Sequence, residues 1–398
     1  MSAAQCVLFA NFLWELSERR IAKKYIDQYK PFPLPSPKER LYDSSDPKQL
    51  IFVTINSELG RTEGFVKSAA IRNANLGTEI IVTALPHANK REQLVKGVEH
   101  STGKIIAFVD DDGFWKPSTL LHLLAPFQEA DIGLVGGPVE SYIPEERQNP
   151  STITVWETAA LRNRSKRRGG NKAFYMADGS TNFTVSGATM LLRAEIVKDR
   201  EFQHEFMQET FLGVRQNTGD DSFITRWVLF QHLRAGRENM RWRLGIQITP
   251  EASVSTTLKR DKSFVDQMKR WLRTGLRFRL TCLFVDPGLR AFRRETPYMA
   301  RKMVEGMFNP LLTLIWYVAF FQTLRHQPLV ALLFAAYYLY GLVTSMAAFA
   351  REFPYCREKI WAAVLSDRVS LVSDWYCWST LLVENWSSRA GVDSRGQR

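Results

Sequence analysis

Cysteine is scarce in this chain of 398 residues. Cys6, Cys282, Cys356 and Cys377 are the only four, and no two are close enough for a CxxC pair. Four thiols in so long a chain make no disulfide framework. The six histidines form no HxxxH or HxxE cluster, so the sequence offers no zinc site. No internal repeat is present, and the one biased tract is the alternating-proline stretch Pro31–Pro37, which favours an extended linker. A mean hydropathy of -0.22 excludes a chain that lies mostly inside a membrane. It does not exclude a water-soluble domain joined to a few spans.

Hydrophobic residues make up 45% of the chain and charged residues 24%, enough for a large core. The net charge is +12, and it is unevenly placed. From Thr257 to Lys302 there are 13 Lys/Arg against 4 Asp/Glu, a net of +9. Two uncharged runs follow, 19 residues between Glu305 and Arg325 and 25 between Arg325 and Arg351. Each is long enough to cross a hydrocarbon core as a helix, which takes roughly 20 residues. A buried hairpin of a soluble helical domain is the other reading. A basic block directly before the runs favours membrane with that block on the cytosolic side. It also argues against nucleic acid as the reason for the charge. The segment from Ile360 to Trp386 is apolar but carries Asp367, Arg368, Asp374 and Glu384, which suits an interfacial helix better than a third crossing. The N-terminal stretch is uncharged through Trp14; it is short for a span and poor as a signal peptide.

Between these regions the pattern alternates. The runs 51–55, 79–83 and 104–109 read as strands, and Glu63–Asn73 and Glu92–Glu99 as helices. Such alternation predicts an α/β, doubly wound, mostly parallel sheet, with ligands at the carboxyl ends of its strands. The third strand stops at Asp110-Asp111-Asp112-Gly113. Three carboxylates together need a cation or solvent to offset their repulsion. A solvated turn is one reading, and a hard divalent cation such as Mg²⁺ or Mn²⁺ is the other. Farther on come Thr218-Gly219-Asp220-Asp221 before an apolar helix, and Gln267-Met268-Lys269-Arg270-Trp271 inside the basic block.

The ordered set of a strand-end DxD, a DD at a helix start, QxxRW and then apolar helices resembles family 2 glycosyltransferases of the GT-A fold. Within them it looks closest to membrane polysaccharide synthases of the fungal hyaluronan-synthase-like, capsule-associated branch. The resemblance implies a transfer from a nucleotide-diphosphate sugar, such as a UDP-sugar, to a glycan or lipid acceptor, with Mg²⁺ or Mn²⁺ as cofactor and metal ligands Asp112 and Asp110. It implies Asp221, with Asp220 beside it, as the catalytic pair. Lys90, Asp110, Asp111, Asp112 and Arg270 would bind the nucleotide sugar, and Gln267, Trp271, Ser186 and Gly187 the acceptor. Trp386-Ser387-Ser388-Arg389 resembles a degraded WGTR motif that closes over the nucleotide. One base and no protein nucleophile imply inversion at the anomeric carbon. The expected divisions are an N-terminal segment and linker (1–47), a GT-A domain (48–256), basic interfacial helices (257–305), two spans (306–350) and an interfacial helix with a tail (351–398). An integral protein of the plasma membrane or secretory pathway with a cytosolic active site follows, and homo-oligomerisation stays open. A non-processive transferase and an inactive binding protein of the same fold remain as alternatives.

Overall fold

The computed structural model describes residues 2–36, 38, 47–68, 71, 77–165, 170–181 and 184–383. Pro37, the end of the helix expected to reach Asn73, and the tail motif Trp386–Arg389 lie outside them.

Strands β1 (Gln49–Ile55) and β2 (Glu79–Leu85) pair in parallel, Gln49 opposite Glu79. Strands β3 (Ile105–Val109), β4 (Gly113–Trp115), β5 (Ile132–Gly136), β6 (Val139–Tyr142) and β7 (Thr189–Arg193) follow, then the short β8 (Thr210–Phe211) and β9 (Val214–Arg215). β10 (Arg243–Ile246) and β11 (Val254–Thr257) complete the set. The central sheet has the order β10-β5-β7-β3, and a three-stranded sheet has the order β4-β11-β6. The expected parallel arrangement is met in the β1–β2 and β10–β5 pairs, and also where β11 runs beside β6. β3 and β5 both pair antiparallel with β7, so the central sheet is mixed. The apolar run of β7 enters between them from the opposite direction, a long-range pairing that alternation along the chain does not reveal.

β1 is half-exposed. Its outer edge faces a cleft across from β3. Side chains cover part of that edge: Gln93 Nε2 donates to the Val53 carbonyl at 2.9 Å, and Gln49 Oε1 accepts the Thr102 N–H at 2.7 Å. Gln93 belongs to the helix Lys90–His100, which starts earlier than Glu92 because Asn89 caps it. The Asn89 side chain accepts from the N–H groups of Arg91 and Glu92. This cap makes Lys90 the first helical residue, at the carboxyl end of the β1–β2 layer.

The main core lies under the helix Asp220–Phe230. Phe223, Ile224, Trp227 and Val228 pack against Leu134, Met190, Leu192 and Leu244 of the central sheet and against Phe202 and Phe206. The same cluster continues through Phe278, Cys282, Phe292, Met299 and Met303. It therefore joins the sheet to the basic helix Ser263–Phe284 and to the base of the next long helix.

Two helices, Pro297–His326 and Pro328–Glu352, are long and apolar enough to cross a membrane, with mean hydropathies of 1.4 and 1.8. Only 11% and 17% of their most apolar stretches are buried, unlike the core hairpin of a soluble domain. Leu329, Leu333 and Tyr340 are among the residues left bare. The N-terminal helix Ala3–Gln28 packs along both. Phe9 and Phe12 meet Phe334 edge-on, and Asn11 Nδ2 donates to the Tyr338 hydroxyl at 3.1 Å. Farther along, Glu18 accepts from Arg301 at 2.7 Å. The helix continues through its charged residues: Glu18 is met by Arg301 and Lys302 at the base of the first apolar helix, and Arg19 and Lys23 pair with Glu15 and Asp27 one turn away in the same helix.

The helix Ile360–Ser379 packs chiefly on the helix Val155–Ser165 and on the basic helix. Asp367, expected to resist burial in lipid, receives both Nε and Nη2 of the buried Arg162 at 3.2 and 3.0 Å. Arg162 Nη2 also donates to Ser345 Oγ of the second apolar helix at 2.8 Å.

Candidate active site

The carboxyl end of β3, the Ser186–Ala188 turn at the amino end of the antiparallel β7, the start of the Lys90 helix and the start of the Asp220 helix meet at one cleft of about 2270 Å³. The cleft brings together every site residue expected from the sequence: Lys90, Asp110, Asp111, Asp112, Ser186, Gly187, Asp220, Asp221, Gln267, Arg270 and Trp271. Its size exceeds the ~300–1,000 Å³ usual for one small ligand, leaving room for two.

Each group is placed by local backbone. The N–H of Asp110 donates to Ala188 O at 3.2 Å, stitching the end of β3 to the Ser186–Ala188 turn. Gly113 closes the acidic turn by donating to Asp110 O at 3.1 Å. On the opposite wall, Gly219 caps the Asp220 helix with φ +77°, a left-handed conformation that favours glycine. Asp220 and Asp221 then occupy the first helical turn, where the helix dipole favours negative charge. Gln267, Arg270, Trp271 and Thr274 lie three and four residues apart on the helix Ser263–Phe284, so one face presents them all to the cleft. The Arg164 guanidinium lies 5.6 Å from the centre of the Trp271 ring.

Lys90 is the hub. Its Nζ lies 2.8 Å from Asp110 Oδ1 and 2.9 Å from Asp220 Oδ2. Burial works against its charge, yet the two carboxylates outweigh burial and hold the ammonium well above the ordinary lysine value. Asp220 shows the reciprocal effect. Burial pushes its carboxyl up, but Lys90 overrides that and holds it below the usual range. In Asp110 burial prevails over Lys90, and the carboxyl is raised.

Asp221 differs from both. Its Oδ1 accepts from the Ser222 N–H at 2.8 Å and its Oδ2 from the Gly187 N–H at 3.3 Å. Burial first, and then the charge of Asp220, push this carboxyl up to about 6. The site therefore holds two carboxylates bridged by one ammonium next to a carboxylate whose proton affinity is tuned toward neutrality, a combination suited to proton transfer. Gly187 lies close to both groups: a Cβ there would stand in van der Waals contact, 3.4 Å from Asp221 Cβ and 3.5 Å from Lys90 Nζ.

Among the described residues no three acidic, histidine or cysteine side chains gather into a metal-binding group. The donor chemistry still fits a hard cation at the acidic turn. Asp112 brings carboxylate oxygens to the cleft, and Asp110, next to Lys90, is a second carboxylate there.

Sequence reasoning missed four contributors. Arg91 and Arg277 are buried and hold the segment before Asp220, and Cys377 and Trp378 line the cleft from the Ile360–Ser379 helix. For Arg277 a signal existed, because it follows Arg270 by seven residues and falls on the same helix face.

A cleft that sets a lysine-bridged acidic cluster beside a tuned carboxylate has the chemistry for proton and group transfer. Residues 49–274 match the family model described as "Glycosyltransferase like family 2", and the chain belongs to that family. It is a family 2 glycosyltransferase, and the family brings with it a nucleotide-sugar donor and an acceptor. The chain is 31% identical over 409 residues to the NDP-glycosyltransferase ltbB of Aspergillus luteorubrus, covering 96% of this chain and 97% of that protein. A type 2 glycosyltransferase of Zymoseptoria tritici is 30% identical over 243 residues, 61% of this chain and 47% of that one. One from Pyricularia oryzae is 28% identical over 240 residues, 60% and 46%.

Proposed function

We propose that this protein is a membrane-bound, inverting glycosyltransferase that moves a sugar from a nucleotide-diphosphate donor to a glycan acceptor on the cytosolic face. The observation that carries the reading is the position of Asp221, raised to about 6 and fixed at Gly187, beside the Lys90–Asp110–Asp220 cluster. Asp221 takes the proton of the acceptor hydroxyl. The acceptor oxygen bonds to the anomeric carbon as the bond from that carbon to the diphosphate breaks, and the nucleoside diphosphate leaves. Asp220 and Asp110 are engaged by Lys90, so neither serves as a nucleophile, and a single displacement inverts the anomeric centre. Lys90 and Arg270 face the leaving diphosphate, and Trp271 offers an aromatic face to the acceptor sugar. Asp112 and Asp110 would hold Mg²⁺ or Mn²⁺, which supplies further charge stabilisation for the diphosphate when bound.

The GT-A architecture and the kinship with hyaluronan-synthase-like enzymes belong to the same proposal. They rest on the order of the motifs. The two bare apolar helices support the membrane position. A second reading, non-processive transfer to a lipid or small acceptor, is favoured by helix count. Among the described residues two candidate spans and the Ala3–Gln28 helix stand together, too few to enclose a channel. The test is release of nucleoside diphosphate from a panel of nucleotide sugars with Mg²⁺ and Mn²⁺, followed by sizing of the product. A ladder of products supports the polymerase, and a single addition supports the second reading. Binding without release from any donor would leave only an inactive binding protein.

A further inference from the structure

The segment Gln216–Thr218, just before the Gly219 turn, is held from two sides. Arg91 donates from Nη2 to Thr218 O at 3.2 Å and from Nη1 to Phe206 O at 2.6 Å. Arg277 approaches from the helix that carries Gln267, Arg270 and Trp271. Its Nη1 donates to Gln216 Oε1 at 2.9 Å and reaches Thr218 Oγ1 at 3.5 Å. The rest of the same guanidinium is turned the other way. Nε donates to Leu381 O at 2.8 Å and Nη2 to Val383 O at 2.7 Å. Arg273, one turn earlier, adds a bond from Nη1 to Val383 O at 3.0 Å.

One buried group thus ties the chain after the Ile360–Ser379 helix to the segment that delivers Asp220 and Asp221. The planar fork of arginine allows this, since its three nitrogens address separate acceptors in fixed geometry. The turn between has little slack. A Cβ at Gly219 would stand 2.8 Å from Thr274 Cγ2, on the same helix as Arg277. Arg277 itself does not line the cleft.

We propose that Arg277 is a positioning residue that latches Leu381–Val383 to Gln216–Thr218 and so keeps Asp221 at its bond to Gly187. The inference rests on the reading of Asp221 as the base. Release of Leu381–Val383 frees two of the three arms of the guanidinium, and the Asp221 turn is then held firmly only from the Arg91 side. A shift of about 1 Å in such a group is enough to cost up to ~100-fold in rate. The C-terminal segment thereby becomes part of the working site without touching substrate.

The test uses the full-length protein in detergent with the variants Arg277→Met, Arg277→Lys and Gln216→Ala. Three quantities are read: turnover of the donor, donor affinity, and amide hydrogen exchange in residues 216–222 and 381–383. We expect exchange to rise in both segments together in Arg277→Met. We expect kcat to fall about 10- to 100-fold with the donor KM changed by less than about threefold. Arg277→Lys recovers part of the rate, and Gln216→Ala adds nothing to Arg277→Met in the double variant. If Arg277→Met does not fold, the lysine and Gln216→Ala variants carry the same test. Exchange rising only at 381–383, or kcat/KM falling wholly through KM, would overturn the latch. A wild-type protein that turns over no nucleotide sugar would instead overturn the reading of Asp221, and the latch with it.

Discussion

Replacing Asp221 with asparagine keeps the shape of the side chain and removes its capacity to take a proton. The structure sets the size and pH range of the effect. Burial and the neighbouring Asp220 raise the Asp221 carboxyl to about 6. A base must be ionised to act, so wild-type kcat/KM should be near its plateau at neutral pH. It should reach half the plateau near pH 6 and fall about tenfold for each further unit of acidification. Asp221→Asn should lower kcat by at least ~100-fold and remove this limb, with donor affinity retained. A second variant tests the cause of the shift. Asp220→Asn takes away the like charge and leaves Lys90 to act on Asp221, so the limb should move to lower pH. Initial rates of nucleoside-diphosphate release from pH 4.5 to 8, together with donor binding, provide the assay. A limb near 6 that survives in Asp221→Asn would refute the assignment. So would a loss of rate matched by an equal loss of donor affinity, which would make Asp221 a binding residue.

Other expectations follow from single features of the fold. Chelation with EDTA and Asp112→Asn should each abolish turnover while circular dichroism stays unchanged, and full activity in chelator would reduce the acidic turn to a solvated loop. Arg162→Ala should destabilise the protein by about 3–5 kcal/mol, because it leaves the largely buried Asp367 carboxylate without its partner; thermal unfolding in detergent that matches wild type would count against that pair. In sealed vesicles, native Cys6 and a His326→Cys cysteine should react from one face and a Lys259→Cys cysteine from the other, since Gln5 hydrogen-bonds Gln327 at the turn between the apolar helices. Labelling of Cys6 together with position 259 would mean that the N-terminal helix does not cross.

Much of the site could be read in the sequence because its residues are local signals. An apolar run that stops at Asp110-Asp111-Asp112 marks a strand end wherever the strand pairs. Spacing alone puts Gln267, Arg270 and Trp271 on one face, whereas the caps at Asn89 and Gly219, which make Lys90 and Asp220 the first helical residues, precede the apolar periodicity from which helices are read at Glu92 and Phe223. The pairing of strands is another matter. Nothing in Thr189–Arg193 says that it runs antiparallel between β3 and β5, because register depends on contacts some 60 to 90 residues distant. The partners of charges were also hidden. The resemblance to family 2 glycosyltransferases implies Lys90 as a nucleotide-sugar ligand, while its place between Asp110 and Asp220 depends on the fold. The N-terminal helix looked short because its charges begin after Trp14; only the fold supplies Arg301 and Lys302 opposite Glu18.

The segment after the apolar helices follows from how its charges are met. A carboxylate in lipid is costly unless paired, and Asp367 is paired, but with a residue of the catalytic domain. One side of the Ile360–Ser379 helix is therefore committed to protein. The side turned outward exposes Trp361, Leu365, Trp375 and Tyr376, the aromatic-rich surface that favours a membrane–water boundary. On the membrane reading this helix lies in the interface, and the cleft lies directly beside it, because Cys377 and Trp378 line both. The latch at Leu381–Val383 then follows directly on that helix, so the segment that Arg277 grips begins where the interfacial helix ends.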